Sequence, residues 1–398
     1  DGRARMIEVT QRPRVRSAST RAEPALIGFL RSLDWILMLA AAALVGYGLW
    51  VVSGITRFDV PGDEDYFVVR QGFAAAVGVV GLVGAAVIPI DLWRRYWKFV
   101  YASTLALMII VFVAAEAVRG SKRWLDLGVI QFQPSELGKV LFVLAIAGFL
   151  VDRTGASMRW RTIFAVIGLG AVPIFLVFLQ PDLGTALVYA ASLFAVLFFV
   201  GVRWRQLAVL LAVGVLAIVS VLWLLPAAGV QVLKPYQAAR LTLDPSADPS
   251  GITYNLDQSI TAVGSGGLTG RGVVEASQTK LDYLPEHATD FAFASLAEQR
   301  GFVGCAILLL LYLLVVWRGL RVITGATDLY GVVVAGGLVV GFLFQVFVNV
   351  GMTMGVAPVT GIPLPFVTVG GSSMVANLVL IGVLQSIHAR GELGRSST

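Results

Sequence analysis

Apolar residues in this chain gather into long, nearly uninterrupted blocks, and polar residues gather between them. The blocks run near 35–55, 69–90, 97–117, 134–151, 161–180, 183–202, 206–225, 290–317, 330–351 and 371–388. About 20 apolar residues are what a helix needs to cross roughly 30 Å of hydrocarbon. A spanning segment must also satisfy its own backbone hydrogen bonds, and these blocks are too long and continuous for barrel strands. The expected fold class is therefore an all-α polytopic membrane protein with about ten transmembrane helices. An even number of spans puts both termini on one side. The expected organisation is a basic tail over 1–33, a ten-helix unit over 34–388 with a large outer loop at 226–289, and a short tail over 389–398.

Charge decides which side is which. Nineteen of the 30 basic residues fall in the two tails and the alternate connections, among them Arg94, Arg95, Lys98, Arg153, Arg159, Arg161, Arg203, Arg205, Arg318 and Arg321. By the positive-inside rule that side is cytoplasmic. Acidic residues gather on the other side, as at Asp59, Asp63, Glu64 and Asp65. The Arg-rich start does not read as a signal peptide, because the polar tail is long and no small-residue cleavage site closely follows the first apolar block.

Composition agrees: 57% of the 398 residues are hydrophobic and 14% charged, against about 25% charged in soluble proteins. Mean hydropathy is +0.83. A net charge of +6 could suggest nucleic acid, but the basic residues sit between apolar blocks, where a membrane explains them and no nucleic-acid partner is needed. One cysteine and two histidines exclude a disulfide scaffold and the usual zinc or haem ligand spacings.

Candidate chemistry sits in a few outer segments. Arg119, Lys122 and Arg123 lie on the side that the charge rule disfavours, in RGSKRWLD. Guanidinium and ammonium groups there suit a diphosphate at the membrane surface, or else anchor lipid headgroups with Trp124 in the aromatic belt. In QPSELGKV, Pro134 suits a first helical turn, and Glu136 and Lys139 share one helix face inside a span. Ionisable residues at such depth generally face the bundle interior and pair with each other or with a substrate. Asp182 reads best as the start of a helix. Asp290, at the mouth of the eighth span, has a capping role as its plain reading. The glycines at 264, 266, 267, 270 and 272 either let backbone N–H groups approach a phosphate or form a close-packed turn. Between spans nine and ten, the uncharged 349–373 segment contains Pro358, Pro363 and Pro365 and reads as a re-entrant or surface-lying loop packed on protein.

Together these segments resemble the shape, elongation, division and sporulation family, its elongation branch more than its division branch. The motifs are KRWLDLG at 122–128, QPSELGK at 133–139, QPDLGT at 180–185, QSITAVGSGGLTGRG at 258–272, LPE and TDF within 284–291, and NVGM to VGGSS at 349–373. The resemblance implies a peptidoglycan glycosyltransferase of the bacterial cytoplasmic membrane that polymerises lipid II during cell elongation. It implies a single-span class B penicillin-binding protein as partner within the elongation machinery. It carries the catalytic role onto Asp290, with Lys139 and Glu136 beside it, and makes Gln258, Ser259 and Ser265 substrate contacts. One departure stands out: the family has His directly before Thr-Asp, whereas here Ala288 holds that place and His287 precedes it.

The chemistry fits independently. A sugar joined to a diphosphate already carries a competent leaving group, so one carboxylate can suffice where glycosidases generally use two. Asp290 would accept the acceptor hydroxyl's proton, with Lys139 as the cation that holds and orients it, and the basic loop would stabilise diphosphate charge. No ligand set for a divalent cation is visible, and cation use stays open. A flippase for the lipid-linked precursor, or a noncatalytic scaffold for the crosslinking enzyme, would share the composition. Gly336, Gly337 and Gly341 in the ninth span offer either a groove for a partner helix or close internal packing.

Overall fold

The computed structural model describes residues 25–114, 123–126, 131–153, 159–230 and 251–396. In chain order its helices begin with α1 (Ala25–Ser32), α2 (Trp35–Ile55), α3 (Tyr66–Val87), α4 (Ile90–Arg95) and α5 (Trp97–Ala114). A two-stranded antiparallel hairpin follows, β1 (Leu125–Asp126) with β2 (Gln131–Phe132). Then come α6 (Pro134–Val151), α7 (Trp160–Leu179), α8 (Leu183–Phe199) and α9 (Trp204–Ala227), the last with a π-helical turn at Ser220–Leu224. The chain continues with α10 (Ile252–Ser265), α11 (Ser277–Lys280), α12 (Ala292–Gly325), α13 (Leu329–Thr353) and α14 (Gly371–Ser396).

Ten of these helices coincide with the ten apolar blocks. Eight are long and apolar enough to cross a membrane, and two shorter apolar helices, Trp97–Val113 and Leu183–Phe199, complete the set. The chain is a multi-pass membrane protein. Its basic tail is not wholly irregular, since α1 occupies Ala25–Ser32. The segment expected outside begins later, because α9 runs on to Ala227, and it contains the helices α10 and α11.

Burial separates centre from rim. The most apolar windows of α6, α13 and α14 are 72%, 72% and 83% buried within the protein, whereas that of α9 is 6% buried. The central helices approach closely through small residues. A Cβ on Gly337 would stand 2.8 Å from Val143 and 2.9 Å from Val196, and Gly336 and Gly341 press on Phe199 and Ser192. Of the two readings of this glycine run, internal packing is therefore the one the structure supports. At the end carrying most basic residues, Arg318 pairs with buried Asp34 at 2.7 Å, and Gln385 bonds both the Asp34 N–H and its carbonyl. These contacts tie α2, α12 and α14 together.

The glycine run at 264–272 also turns out to be a packing device. Helix α12 is interrupted at Gly301, whose φ of 62° favours a residue without a Cβ. Backbone groups released by that break are taken up by the glycine turn. Arg271 and Gly272 N–H donate to the Glu298 and Gln299 carbonyls at 2.9 and 3.0 Å, and Phe302 and Val303 N–H donate to Gly267 and Leu268. Such pairing is what non-helical backbone at membrane depth requires. Glu298, fully buried, then accepts from Gln278 N–H, Thr279 N–H and the Thr279 hydroxyl at 2.8–3.0 Å, docking α11 on α12.

Candidate active site

Pro134 and Asp182 start the two helices that frame the site from one side. Pro134 occupies the first turn of α6, where its missing N–H costs nothing. Asp182 caps α8, its Oδ1 accepting from Thr185 N–H at 3.1 Å, which is the role its position suggested. Its Oδ2 accepts from Gln133 Nε2 at 2.8 Å, so the QPSELGK and QPDLGT motifs are joined directly. Gln133 N–H donates to Ser372 Oγ at the start of α14.

Opposite them, the segment 286–291 carries Asp290 into α12 and is held from several directions. Val369 N–H donates to the Ala288 carbonyl, Thr368 Oγ1 to the Thr289 carbonyl, and Asn349 Nδ2 to the Asp290 carbonyl at 3.1 Å. Thr289 donates to Glu286 at 2.8 Å. The loop 354–370 between α13 and α14 is largely buried, with Ile362 and Phe366 at 1% exposure and Leu364 and Val367 at 0%. Its carbonyls are met by side chains from the helices: Ile362 by Asn349, Pro363 by Gln345, Pro365 by Tyr312 and Thr368 by Gln71. The packing on protein read from its sequence is what the structure shows.

Between these walls lies a cleft of about 130 Å³ lined by Arg123, Trp124, Gln133, Asp182, Thr185, Thr289, Asp290, Pro363, Thr368 and Ser373, among others. Arg123 and Asp290 thus share one cleft, as their assigned roles require. Arg123 is anchored by its own guanidinium, donating to the Gln180 carbonyl at 2.9 Å and to the Pro181 carbonyl. Arg119 and Lys122 lie outside the described residues. A second opening of about 350 Å³, lined by Arg70, Gln71, Tyr66 and Gln131, shares Trp124, Thr289, Val369 and Gly370 with the first.

Lys139 is placed differently from the expectation that it holds Asp290. Its Nζ donates to both carboxylate oxygens of Glu136 at 2.9 Å and to Gln345 Oε1 at 3.0 Å. Glu136 is 1% exposed, and an acid so desolvated and one turn away claims the ammonium. The pair lines a separate, smaller void with Ser192, Gln345 and Asn377. Gln258, Ser259 and Ser265 are not among the residues that line the Asp290 cleft. Ser259 is fully buried, donating to the Thr353 carbonyl at 2.8 Å to fix α10 on α13, and Ser265 donates to the Ala262 carbonyl within its own helix. Among the described residues no group of three or more His, Cys, Asp or Glu gathers as metal ligands do. Gln71, Gln345 and Asn349 escaped the sequence reading, and uncharged amides within apolar spans were the signal available, whereas Gln133 and Thr368 lay in recognised motifs without a role of their own.

His287 links the Asp290 segment to the α2–α3 loop, its Nε2 3.0 Å from Asp59 and its Nδ1 3.2 Å from the Leu284 carbonyl. Burial disfavours the charged imidazole, but the Asp59 hydrogen bond and charge, with Asp282 beyond, outweigh it and raise the pKa. A raised pKa lends stability that is complete below the unfolded value of about 6.5 and is lost as pH rises through the folded value. The melting advantage of the wild type over Asp59→Asn should therefore shrink as pH is raised from about 6 to 8. A pH-independent difference would show that His287 stays neutral.

Residues 31–392 match the family model FtsW/RodA/SpoVE, described as cell cycle protein. The chain belongs to this family. It is 37% identical over 363 residues to the peptidoglycan glycosyltransferase MrdB of Escherichia coli (strain K12), covering 91% of this chain and 95% of that one. A probable peptidoglycan glycosyltransferase FtsW of Thiomicrospira cyclica is also 37% identical, over 90% of this chain and 92% of its own length. The relatives named MrdB and FtsW are thus matched at equal identity. Among solved structures, a chain from a peptidoglycan synthase complex, studied for the coordination of polymerization and crosslinking, superposes with a TM-score of 0.75 at 31% identity. That match covers 90% of this chain and 98% of the other.

Proposed function

We propose that this chain is a peptidoglycan glycosyltransferase that polymerises lipid II into glycan strands at the outer face of the bacterial cytoplasmic membrane, with Asp290 as general base. Membership in a family whose relatives bear that activity in their names supports the reaction class. The observation that carries the residue assignment is that one cleft, at one end of the bundle, brings Asp290 together with Arg123, Trp124 and Gln133.

An acceptor hydroxyl oxygen attacks the anomeric carbon of the donor sugar and its proton passes to Asp290. The bond from that carbon to the diphosphate oxygen breaks, and the lipid diphosphate leaves with the electron pair. Arg123, its Nε already held by a carbonyl, presents its guanidinium charge to the cleft without having to be ordered on binding. The arrangement of basic residues supports cytoplasmic termini and an outer 226–289 segment. The likeness to a chain of a complex that couples polymerization to crosslinking supports a single-span class B penicillin-binding protein as partner.

Stoichiometry tests the reaction. Purified protein given lipid II should release one lipid diphosphate for each glycosidic bond formed. Movement of lipid II between leaflets with no lipid diphosphate released would make the chain a flippase, and no change in lipid II at all would make it a scaffold.

A further inference from the structure

We propose that Gln345 and Asn349 are positioning residues that couple the buried Glu136–Lys139 pair to the backbone carrying Asp290. The proposal rests on the assignment of Asp290 as base. Gln345 and Asn349 are four residues apart on α13, so they project from one face of that helix one turn apart. Both are buried, at 2% and 0% exposure.

Their hydrogen bonds form a continuous path between two voids that do not share a residue. Lys139 donates to Gln345 Oε1 at 3.0 Å, and Gln345 Nε2 donates to the Pro363 carbonyl at 2.7 Å. Pro363 is part of the wall of the Asp290 cleft. One turn on, Asn349 Nδ2 donates both to the Ile362 carbonyl at 2.7 Å and to the Asp290 carbonyl at 3.1 Å. Adjacent carbonyls of the 354–370 loop are therefore held by adjacent rungs of one helix, and the second rung also holds the catalytic segment.

The direction of the amides is what gives Lys139 a role at a distance. An ammonium group only donates, so it fixes the Gln345 amide with its oxygen toward Lys139 and its NH₂ toward Pro363. Without that ammonium only the Pro363 carbonyl favours this orientation, so the amide is held from one side instead of two. Asn349 shows the same commitment. Its Nδ2 serves two carbonyls while its Oδ1 lies buried with no hydrogen-bond partner among the described residues. A buried acceptor left unmatched is uncommon, and here it accompanies a grip on the Asp290 backbone.

A coupling cycle in the full-length protein tests the path. Gln345→Met, close to glutamine in size, should lower kcat for lipid II polymerisation about 10–100-fold, the scale expected of a small misplacement of a catalytic group. Its KM should stay within about twofold, because contacts with substrate are untouched. In a Glu136→Gln/Lys139→Met background, which has no ammonium to orient the amide, Gln345→Met should change kcat by less than about twofold. Equal losses in both backgrounds would overturn the proposal, as would an unchanged kcat in the wild-type background. Should Gln345→Met not fold, Gln345→Glu decides: a carboxylate there keeps an acceptor for Lys139 and lacks the donor for Pro363, so at a pH high enough to ionise it the variant should show the same loss in kcat, and kcat equal to wild type across the pH range would refute the path. Full activity in Asp290→Asn would instead remove the base assignment, whatever the cycle shows.

Discussion

Asp290→Asn is expected to reduce polymerisation about 10²–10⁴-fold, the usual worth of a positioned general base. Asparagine nearly matches aspartate in shape, and the Asp290 contact with Asn349 runs through the backbone carbonyl, which the substitution leaves in place. The fold and the Arg123 wall of the cleft should persist. The loss should therefore appear in kcat, with lipid II affinity close to wild type. Steady-state kinetics at several lipid II concentrations separates the two. A loss confined to KM would move Asp290 from proton transfer to substrate binding, and loss of the folded protein would make it a structural residue of the segment that leads into α12.

Lys139→Met is expected to destabilise the protein by about 3–5 kcal/mol, because it leaves the Glu136 carboxylate buried without its counter-charge. Glu136 is 1% exposed, and Lys139 meets both of its oxygens at 2.9 Å. Replacing both partners removes the unpaired charge, so Glu136→Gln/Lys139→Met should recover most of the lost stability. Polymerisation should stay depressed in the double variant, since the Gln345 amide has lost the ammonium that orients it. Thermal unfolding in detergent reads the first effect and turnover the second. Equal melting of the single and double variants would mean that the buried carboxylate finds another partner.

The fold was legible in the sequence because a membrane span announces itself by length and apolarity, and the ten blocks became ten helices. Helix starts at Pro134 and Asp182 were legible for local reasons, an imino acid suited to a first turn and a carboxylate suited to free N–H groups. Asp290 and Arg123, singled out separately in the sequence, line one cleft. What the sequence hid was partnership across the bundle. The i, i+3 spacing offered Lys139 to Glu136, but nothing local says that it also turns to Gln345, or that Ser259 is spent on the Thr353 carbonyl. The glycines at 264–272 looked equally suited to a phosphate and to a tight turn, because both need backbone without side chains. The break at Gly301 decides for the turn, and it lies about 30 residues away in sequence. Gln345 and Asn349 carried a signal, two amides four apart in an otherwise apolar span, but only the carbonyls of the 354–370 loop give them a purpose.

The most direct measurement is electrophoresis of the product formed when the purified full-length chain, with no other glycosyltransferase present, is given labelled lipid II as sole substrate. The account predicts a ladder of glycan strands from the wild-type protein and almost none from a well-folded Asp290→Asn protein prepared in parallel. Ladders of equal intensity from the two proteins would contradict the account at its centre.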